Sequence, residues 1–381
     1  MGGAAALVGD NERQVLKQSP ASVTMLIFPA VLRKAKKKKM TDTKEKILIT
    51  GASGFIGSFL VARGLELGFD VWAAVRKSSS RRYLQDPRIH FLELDFDDDD
   101  LLAAQLEKHV AEHGAFAHVL HAAGATKARS EADFVRVNAE GTARLARQLL
   151  QTKALPASTG RFVFFSSLSV YGPVREEDNR PILESDEQMP DTAYGRSKQQ
   201  AEQELAHIPD LNYIILRPTG VYGPREKDYF LMAKSIIQRV DFSVGYKPQT
   251  ITFIYVRDLV EAAYLALDHG ESGRAYFLTD GHNYSSRDFS NLLQKELNIR
   301  GVLHIKAPIW FLKLVCCING GLANLFGKTT TLNMDKFNIL KQRNWQCDIR
   351  PAEQELGYRP QYPLERGVKE TVNWYIQNGW L

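Results

Sequence analysis

Two side chains of one predicted helix could move a proton to or from a substrate. Tyr194 and Lys198 lie four residues apart in the segment YGRSK, so they share one face of a helix predicted over about 193–206. A free phenol has a pKa of about 10 and is a poor base at neutral pH, but a neighbouring ammonium favours the phenolate. Such pairs are common on helices, so the interpretation depends on what surrounds this one.

The end of the preceding predicted strand supplies hydroxyl groups. The segment RFVFFS (161–166) is typical of a buried strand, and Ser166 and Ser167 stand where it ends. Open α/β sheets hold their ligands at the carboxyl ends of the strands. A serine hydroxyl there can orient a substrate oxygen against the phenol of Tyr194.

The first predicted strand, KILIT (46–50), is followed directly by glycines. Gly51 allows a tight turn, Gly54 lets backbone N–H groups approach a pyrophosphate, and Gly57 lets the next helix pack on the strand. The amino end of that helix then faces the phosphates with its positive dipole end. We predict that this turn binds a dinucleotide through Gly51, Ser53, Gly54, Phe55, Ile56 and Gly57.

The end of the second strand, DVWAAV (70–75), bears on which dinucleotide binds. An NAD site usually has Asp or Glu there to hold the ribose 2′-hydroxyl, whereas this chain has Arg76. A guanidinium suits a 2′-phosphate through charge-assisted hydrogen bonds; the alternative is that Arg76 is merely solvated. We therefore expect NADP(H) in preference to NAD(H).

Strands alternate with helices from Lys46 to Arg217. This order predicts an α/β fold with a doubly wound parallel sheet of Rossmann type. We predict a dinucleotide-binding Rossmann domain at 46–220 and a smaller, interleaved substrate-binding region at 221–381, of which one strand and helix (about 251–268) return to the first domain. The other predicted strands are 89–94, 117–122 and 212–217, and the other predicted helices are about 56–67, 101–113 and 132–151.

The charge of the chain is concentrated at its start. The formal net charge of the 381 residues is +5, and residues 1–46 carry ten basic and four acidic residues, so the remainder carries −1. The body therefore gives no reason to expect a nucleic-acid partner. Residues 1–45 are predicted to be a disordered basic extension, for which three interpretations stay open: translation from Met40, a basic arm, or a weak interfacial anchor.

The cysteines and the apolar runs bear on compartment and membrane contact. Cys316, Cys317 and Cys347 form no CxxC pattern, so we expect no metal site and no disulfide, and a cytoplasmic protein. No apolar run is long enough to span a bilayer. The apolar stretch 307–326 is expected to pack as core or as a lid, with an interfacial helix as the alternative.

The sequence resembles the extended short-chain dehydrogenase/reductase superfamily, the NAD-dependent epimerase/dehydratase group, from about Lys46 to the carboxyl terminus. The resemblance is carried by TGASGFIG (50–57), LDF (94–96), HAAG (121–124), VNAEGT (137–142), SSLSVYG (166–172), YGRSK (194–198), LRPTGVYGP (216–224) and ELGYRPQYPLERGVKETVNWY (355–375). It implies a catalytic trio and further cofactor contacts, together with a homodimer formed through a helix pair. The trio is Ser167, Tyr194 and Lys198, the last two also touching the cofactor, and the further contacts are Asp95, Phe96, Ala122, Ala123, Gly124, Pro218 and Val221, with Asn138 supporting the sheet.

Three reaction classes share such a trio. The family's 4,6-dehydratases carry an acidic pair directly after the strand end, where this chain has Leu168 and Ser169, so dehydration is disfavoured. Arg76 speaks against a 4-epimerase with tightly held NAD, which stays an alternative, as does a non-catalytic NADP-binding regulator. We expect reversible oxidoreduction of a carbonyl and a secondary alcohol on a small substrate, polycyclic or sugar-derived.

Several basic residues are candidates for holding a substrate, each with a plain surface role as the alternative. These are Lys127, Arg129, Arg225, Lys227 and Lys234. His121 stands at the end of a buried strand, so we expect a hydrogen-bonded core histidine and not a catalytic one.

Overall fold

The computed structural model describes residues 44–325 and 333–381. The expectations for the extension at 1–45 and for the end of the apolar stretch therefore lie outside the described residues or at their edge. The strands are β1 (Lys46–Thr50), β2 (Asp70–Val75), β3 (His90–Glu93), β4 (His118–His121), β5 (Arg161–Phe165), β6 (Tyr213–Pro218), β7 (Gly220–Tyr222), β8 (Val240–Val244), β9 (Thr250–Ile251), β10 (Phe253–Tyr255), β11 (Ala275–Leu278), β12 (Tyr284–Ser285) and β13 (Leu303–Ala307).

The helices between these strands follow the alternation that the sequence predicts. They are α1 (Phe55–Glu66), α2 (Asp99–His113), α3 (Glu131–Phe134), α4 (Gly141–Gln151), α5 (Ala193–Ala206), α6 (Asp228–Ile237), α7 (Val256–Asp268), α8 (Asp288–Glu296), α9 (Ile309–Leu325), α10 (Met334–Lys341) and α11 (Leu364–Gln377).

Within the described residues, seven strands form a parallel sheet in the order β3-β2-β1-β4-β5-β6-β11. This order confirms the doubly wound parallel sheet. In the region predicted to return to the first domain, β10 pairs with β7 and β9 pairs with β12, while β11 supplies the edge strand of the central sheet beside β6. The helix that follows β10, α7, packs against α1.

Alternating side chains of the strands fill two separate cores. In β1, Ile47 and Ile49 pack with α1 and α7 on one face, and Leu48 packs with α2, α4 and α5 on the other. A third apolar cluster joins α6, α8 and α11 to β7 and β10. The sheet is thus covered on both faces, which explains why its strands are almost continuously apolar.

The helix predicted over 132–151 is interrupted. α3 and α4 are separated by a π-helical turn at Val135–Glu140, with Asn138 inside it. The carbonyl of Asn138 accepts a hydrogen bond from the Thr142 hydroxyl at 2.7 Å. π-Turns inside helices occur often at functional sites, and this one directs an amide side chain toward the end of β4.

A buried histidine on α2 should make the stability of the fold depend on pH. The His109 ring stacks on Phe116 with centroids 4.3 Å apart, and neither ring nitrogen has a hydrogen-bond partner among the residues that the structure describes. Burial, with the charges of His113 and Lys46, lowers the pKa of His109 from 6.5 to about 4. Between about pH 6.5 and pH 4, His109 is therefore protonated in the unfolded chain and neutral in the folded chain. The free energy of unfolding decreases as the pH falls through this range.

Replacing this ring by phenylalanine removes the titration and keeps the stack. In His109→Phe, we expect the melting temperature to fall less between pH 7 and pH 5 than it does in the wild type. Thermal unfolding followed by circular dichroism at both values measures the difference. An unchanged pH dependence in the variant contradicts this assignment.

Candidate active site

The turn after β1 brings three backbone segments into contact: the turn itself, the start of α1 and the residue that follows β4. Gly51 has a φ of +65°, and the Gly54 amide donates to the Gly51 carbonyl at 2.9 Å. A Cβ on Gly51 would lie 2.6 Å from the Ala122 oxygen, and a Cβ on Gly57 would lie 2.1 Å from the Gly51 oxygen. Such separations leave no room for a side chain, so glycine is required for α1 to begin against the ends of β1 and β4.

The amino end of α1 has the features of an anion-binding site. Gly54 is the N-cap residue, no side chain caps the helix, and its first turn contains no acidic residue. The first-turn N–H groups of a helix have no partner within the helix and carry a partial positive charge. This end of α1 can therefore hold a phosphate.

A cleft of about 870 Å³ lies over the carboxyl ends of the central strands. Most of the predicted cofactor residues line it: Gly51, Ser53, Gly54, Arg76, Asp95, Phe96, Ala122, Ala123 and Gly124. The others are not part of its lining: Phe55, Ile56, Gly57, Tyr194, Lys198, Pro218 and Val221. For Gly57 the reason is plain, since it packs against the turn beneath the cleft.

One end of the cleft is basic and rich in hydroxyl groups. The Arg76 amide donates to Ser79 Oγ at 2.9 Å, and the Ser79 amide donates to the Arg76 carbonyl at 2.9 Å. Lys77 and Ser78 lie between them and also line the cleft. Arg76 is the residue of this loop that the comparison with NAD sites indicates, and the basic and hydroxyl residues beside it in the chain are a further signal for the loop.

The opposite wall of that end contains residues that sequence reasoning missed. Gln105 of α2 accepts a hydrogen bond from the Asp95 amide at 2.9 Å, so it holds the loop after β3. Arg136 forms an ion pair with Asp97 at 2.5 Å. Both line the cleft, and no local pattern marks either of them, because the two contacts join residues 10 and 39 positions apart in different elements.

The predicted trio begins at the end of β5. Ser167 opens the short 3₁₀ turn Leu168–Val170, where its Oγ accepts from the Ser169 amide and donates to the Ser169 hydroxyl, both at 3.1 Å. Tyr194, near the start of α5, stands edge-on to Phe134 with centroids 6.1 Å apart. Burial raises the pKa of Tyr194 to about 12, and a hydrogen bond with the Ser167 side chain opposes that rise.

Lys198 is buried beneath the cleft. Its Nζ donates to the Phe165 carbonyl at 2.7 Å and lies 4.6 Å from the centre of the Phe164 ring. A Cβ on Gly124 would lie 3.3 Å from Nζ, so the ammonium borders the cleft lining. Burial lowers the pKa of Lys198 to about 8, against the opposing charge of Glu202.

Lys198 does not lower the pKa of Tyr194 in the protein without cofactor, contrary to the expectation from the sequence. The Lys198 ammonium donates to the Phe165 carbonyl. The pKa of Tyr194 is raised and not lowered, because burial desolvates the phenolate and this outweighs the opposing hydrogen bond with Ser167. The phenol is therefore held in its neutral form, as a proton donor.

A buried ion pair supports the trio from behind. Glu202 of α5 accepts from Arg217 Nη2 at 2.5 Å and Nε at 3.0 Å, and from the Ser166 hydroxyl. Arg217 Nη1 donates to the Tyr171 hydroxyl at 2.9 Å. This network fixes α5, β5 and β6 relative to one another, so Ser166 supports the site while Ser167 is the serine beside Tyr194.

Asn138 and His121 complete the support. Asn138 Oδ1 accepts from the Ala125 amide at 2.7 Å, and its Nδ2 donates to Ser197 Oγ at 3.0 Å. His121 bonds to Thr50 and Thr142 through its two ring nitrogens, at 2.8 and 2.9 Å. Burial lowers the pKa of His121 to about 3, so it is neutral, and the prediction of a hydrogen-bonded core histidine is confirmed.

The basic candidates are placed differently from one another. Arg225 does not project into the cleft: it donates to Ser58 Oγ at 2.7 Å and stacks on Phe59 and Tyr83, 4.4 Å from each ring centre. The carboxylate of Asp228 forms ion pairs with Lys127 Nζ at 3.1 Å and with Lys336 Nζ at 3.5 Å. These two lysines come from the β4 and α10 segments.

A residue that no sequence pattern marked holds the start of α5. The two carboxylate oxygens of Asp335 accept from the Ala193 amide at 3.0 Å and the Tyr194 amide at 3.2 Å. The start of α10 thus contacts the backbone of the candidate catalytic tyrosine. The described residues contain no cluster of His, Cys, Asp and Glu able to hold a metal ion.

Comparison with known proteins is consistent with this arrangement. The sequence model of the NAD dependent epimerase/dehydratase family matches residues 47–278. The UDP-glucose 4-epimerase of Vibrio cholerae is 27% identical over 349 residues, covering 87% of this chain and 96% of the epimerase. The 4-hydroxy-2-methyl-3-oxo-4-farnesyl-3,4-dihydroquinoline-1-oxide ketoreductase of Stigmatella aurantiaca is 26% identical over 350 residues, covering 85% and 94%.

The fold has solved counterparts. The dTDP-glucose 4,6-dehydratase DesIV from Streptomyces venezuelae, whose structure holds NAD, superposes with a TM-score of 0.69 at 23% identity, covering 88% of this chain and 98% of the dehydratase. This likeness shows the Rossmann-type fold.

Proposed function

Since the family match spans well over half of its length, the chain belongs to the NAD-dependent epimerase/dehydratase family and is an enzyme of the extended short-chain dehydrogenase type, and we propose that it interconverts a carbonyl and a secondary alcohol with NADP(H). The observation that carries the proposal is the meeting of Ser167, at the end of β5, with Tyr194 and Lys198 of α5, where Lys198 is buried and its Nζ donates to the Phe165 carbonyl. The adjoining cleft, with Arg76 at one end, has the size and the phosphate-ready helix of a dinucleotide site.

The residues of the trio divide the proton chemistry among themselves. A bound nicotinamide would supply or accept the hydride. Tyr194 donates its phenolic proton to the carbonyl oxygen during reduction and takes the hydroxyl proton during oxidation. Ser167 would hold the same oxygen by a hydrogen bond, and Lys198 would hold the ribose of the bound cofactor.

The surroundings of Ser167 favour this reaction over dehydration. The next residue, Leu168, is buried in the core, and Ser169 bonds to Ser167. Neither side chain can act as the acid or base that removes a hydroxyl and a neighbouring proton. The relationship to a ketoreductase also supports the proposal.

A nucleotide-sugar 4-epimerase is the second candidate. The relationship to the Vibrio cholerae epimerase favours it, and so does the Lys127–Asp228–Lys336 group, whose two lysines could hold a diphosphate after parting from Asp228.

Incubation with NADPH and a panel of ketones, aldehydes and keto sugars, followed at 340 nm, separates the two functions. Net oxidation of NADPH supports a reductase; conversion of UDP-sugars without net cofactor turnover replaces the proposal by epimerisation.

The loop at Arg76 provides a test of cofactor preference. In Arg76→Ala, we expect the KM for NADPH to rise by about 10–100-fold, because a charge-assisted contact to the 2′-phosphate contributes about 1.5–3 kcal/mol. The KM for NADH should change little. Steady-state kinetics with both cofactors measures the change, and Arg350→Ala serves as a control at an exposed arginine outside the cleft lining. A wild-type preference for NADH that survives the substitution contradicts the assignment.

A further inference from the structure

An apolar surface is exposed where β8, β13 and α9 meet. We define the α9 patch as the exposed side chains Phe242, Tyr246, Leu303, Ile305, Trp310, Phe311, Leu314 and Ile318. Trp310 and Tyr246 are 67% and 68% exposed, and Phe242 and Leu303 are each 63% exposed. Single exposed apolar residues are ordinary, whereas a group of this size on adjoining elements marks an interaction surface.

The helix in this patch has a buried side and an open side, and both are apolar. Leu312 and Cys316 pack against Phe337 of α10 and Val244 of β8. Trp310, Leu314 and Ile318 follow one another at four-residue spacing, so they share the open side. A surface helix of a water-soluble protein normally has polar residues on its solvent-facing side. The apolar open side of α9 therefore indicates a surface that binds another molecule or a lipid layer.

The strands extend the same surface. Phe242 and Val244 lie on one face of β8, because side chains two residues apart point the same way. Val244 is covered by α9, while Phe242 and its register partner Ile305 stay exposed. The apolar face therefore continues past the edge of the helix.

The charges around the patch are basic. Between Glu296 and Asp335 the sequence contains no Asp or Glu, whereas Lys306 and Lys313 are exposed there and Lys247 follows Tyr246. The one acidic residue of β8, Asp241, is buried and accepts from Ser290 at 3.0 Å and pairs with His304. An apolar surface with exposed Trp and Tyr and a basic rim is complementary to an anionic lipid surface.

A second copy of this chain fits the patch less well. A two-fold interface sets each patch against its own copy, which would bring Lys306 and Lys313 toward the same lysines without acidic partners in that segment. The helix does not cross a bilayer either, since no helix within the described residues is long and apolar enough to span one.

We propose that the α9 patch lies on an anionic membrane surface, with α9 parallel to the bilayer plane. The contact places α9 at the lipid interface, while Asp335, the second residue of α10, holds the Tyr194 amide. The proposal does not depend on which reaction the trio catalyses.

Vesicle sedimentation with the full chain tests the proposal. Protein is mixed with vesicles of phosphatidylcholine alone or of equal parts phosphatidylcholine and phosphatidylglycerol. We expect binding to the mixed vesicles, weakened by added salt, with about a tenfold or greater loss in Trp310→Ser and about a fivefold loss in Lys313→Gln. Leu231→Ser, at an exposed apolar position on α6, is the matched control and should bind as the wild type does.

The other outcomes each overturn the proposal. Equal binding by Trp310→Ser and wild type, with both folded by circular dichroism, would assign lipid binding to another segment such as the basic residues 1–45. Absence of vesicle binding together with loss of a dimer in Trp310→Ser, seen by sedimentation velocity, would assign the patch to a second copy. Absence of vesicle binding with a raised substrate KM in that variant would make α9 a lid over the substrate.

Discussion

Replacing Tyr194 with phenylalanine is expected to lower kcat for carbonyl reduction by about 10²–10⁴-fold, the usual contribution of a positioned general acid. The substitution removes one hydroxyl and keeps the ring that stands edge-on to Phe134. Tyr194 is outside the lining of the dinucleotide cleft, so the affinity for NADPH should change far less than kcat. Stopped-flow reduction and calorimetric titration with NADPH measure the two quantities.

The pH dependence separates a lost acid from a damaged site. With a pKa of about 12, Tyr194 is protonated from neutral to moderately alkaline pH, so wild-type reduction should not lose its acid in that range. Alcohol oxidation needs the phenolate and should accelerate as the pH rises, and Tyr194→Phe should lose that acceleration. Tyr213→Phe is the control, because Tyr213 stands at the amino end of β6, opposite the site edge of the sheet. Near-wild-type kcat in Tyr194→Phe would remove Tyr194 from the mechanism.

The parts of the structure that the sequence predicts well are those encoded in short segments. β1, β2 and α5 have the predicted bounds. The limits are local: Gly51 ends the apolar run of β1, Arg76 ends that of β2, and Thr192 is the N-cap residue of α5. The glycine turn is predictable from the sequence for the same reason: Gly51, Gly54 and Gly57 contact one another within a segment of seven residues.

The parts that could not be predicted depend on contacts between distant segments. Asp335 meets Tyr194 across 141 positions, and Gln105 bonds to the loop after β3 only because α2 folds back along the sheet. Arg225 was a candidate for holding substrate, yet it is stacked between Phe59 and Tyr83, rings contributed by segments far from it in the chain. Residue type indicates what such groups can bind, and only the fold determines what they contact.

Replacing Gly57 with alanine is expected to abolish measurable NADPH binding and to destabilise the fold. Alanine is the better helix former by about 1 kcal/mol, so helix propensity alone predicts a gain in stability. The added Cβ would lie 2.1 Å from the Gly51 oxygen and 2.8 Å from the Ala52 Cα, and both are backbone atoms that cannot rotate away. Overpacking of this kind costs about 1–3 kcal/mol or more, which outweighs the propensity, and relief requires α1 to move off the turn that aims its N–H groups into the cleft.

Gly54 separates the steric effect on the fold from the effect on the cleft. Its φ of −80° suits any residue, and an added Cβ would lie 3.1 Å from the Gly51 oxygen, a contact that small shifts can relieve. Gly54→Ala should therefore keep a near-wild-type melting temperature while its methyl group, at the cleft wall, weakens NADPH binding. Thermal unfolding and fluorescence titration of both variants give the comparison. If Gly57→Ala binds NADPH as tightly as Gly54→Ala and melts no lower than the wild type, then close packing of α1 on the turn is not what forms the site.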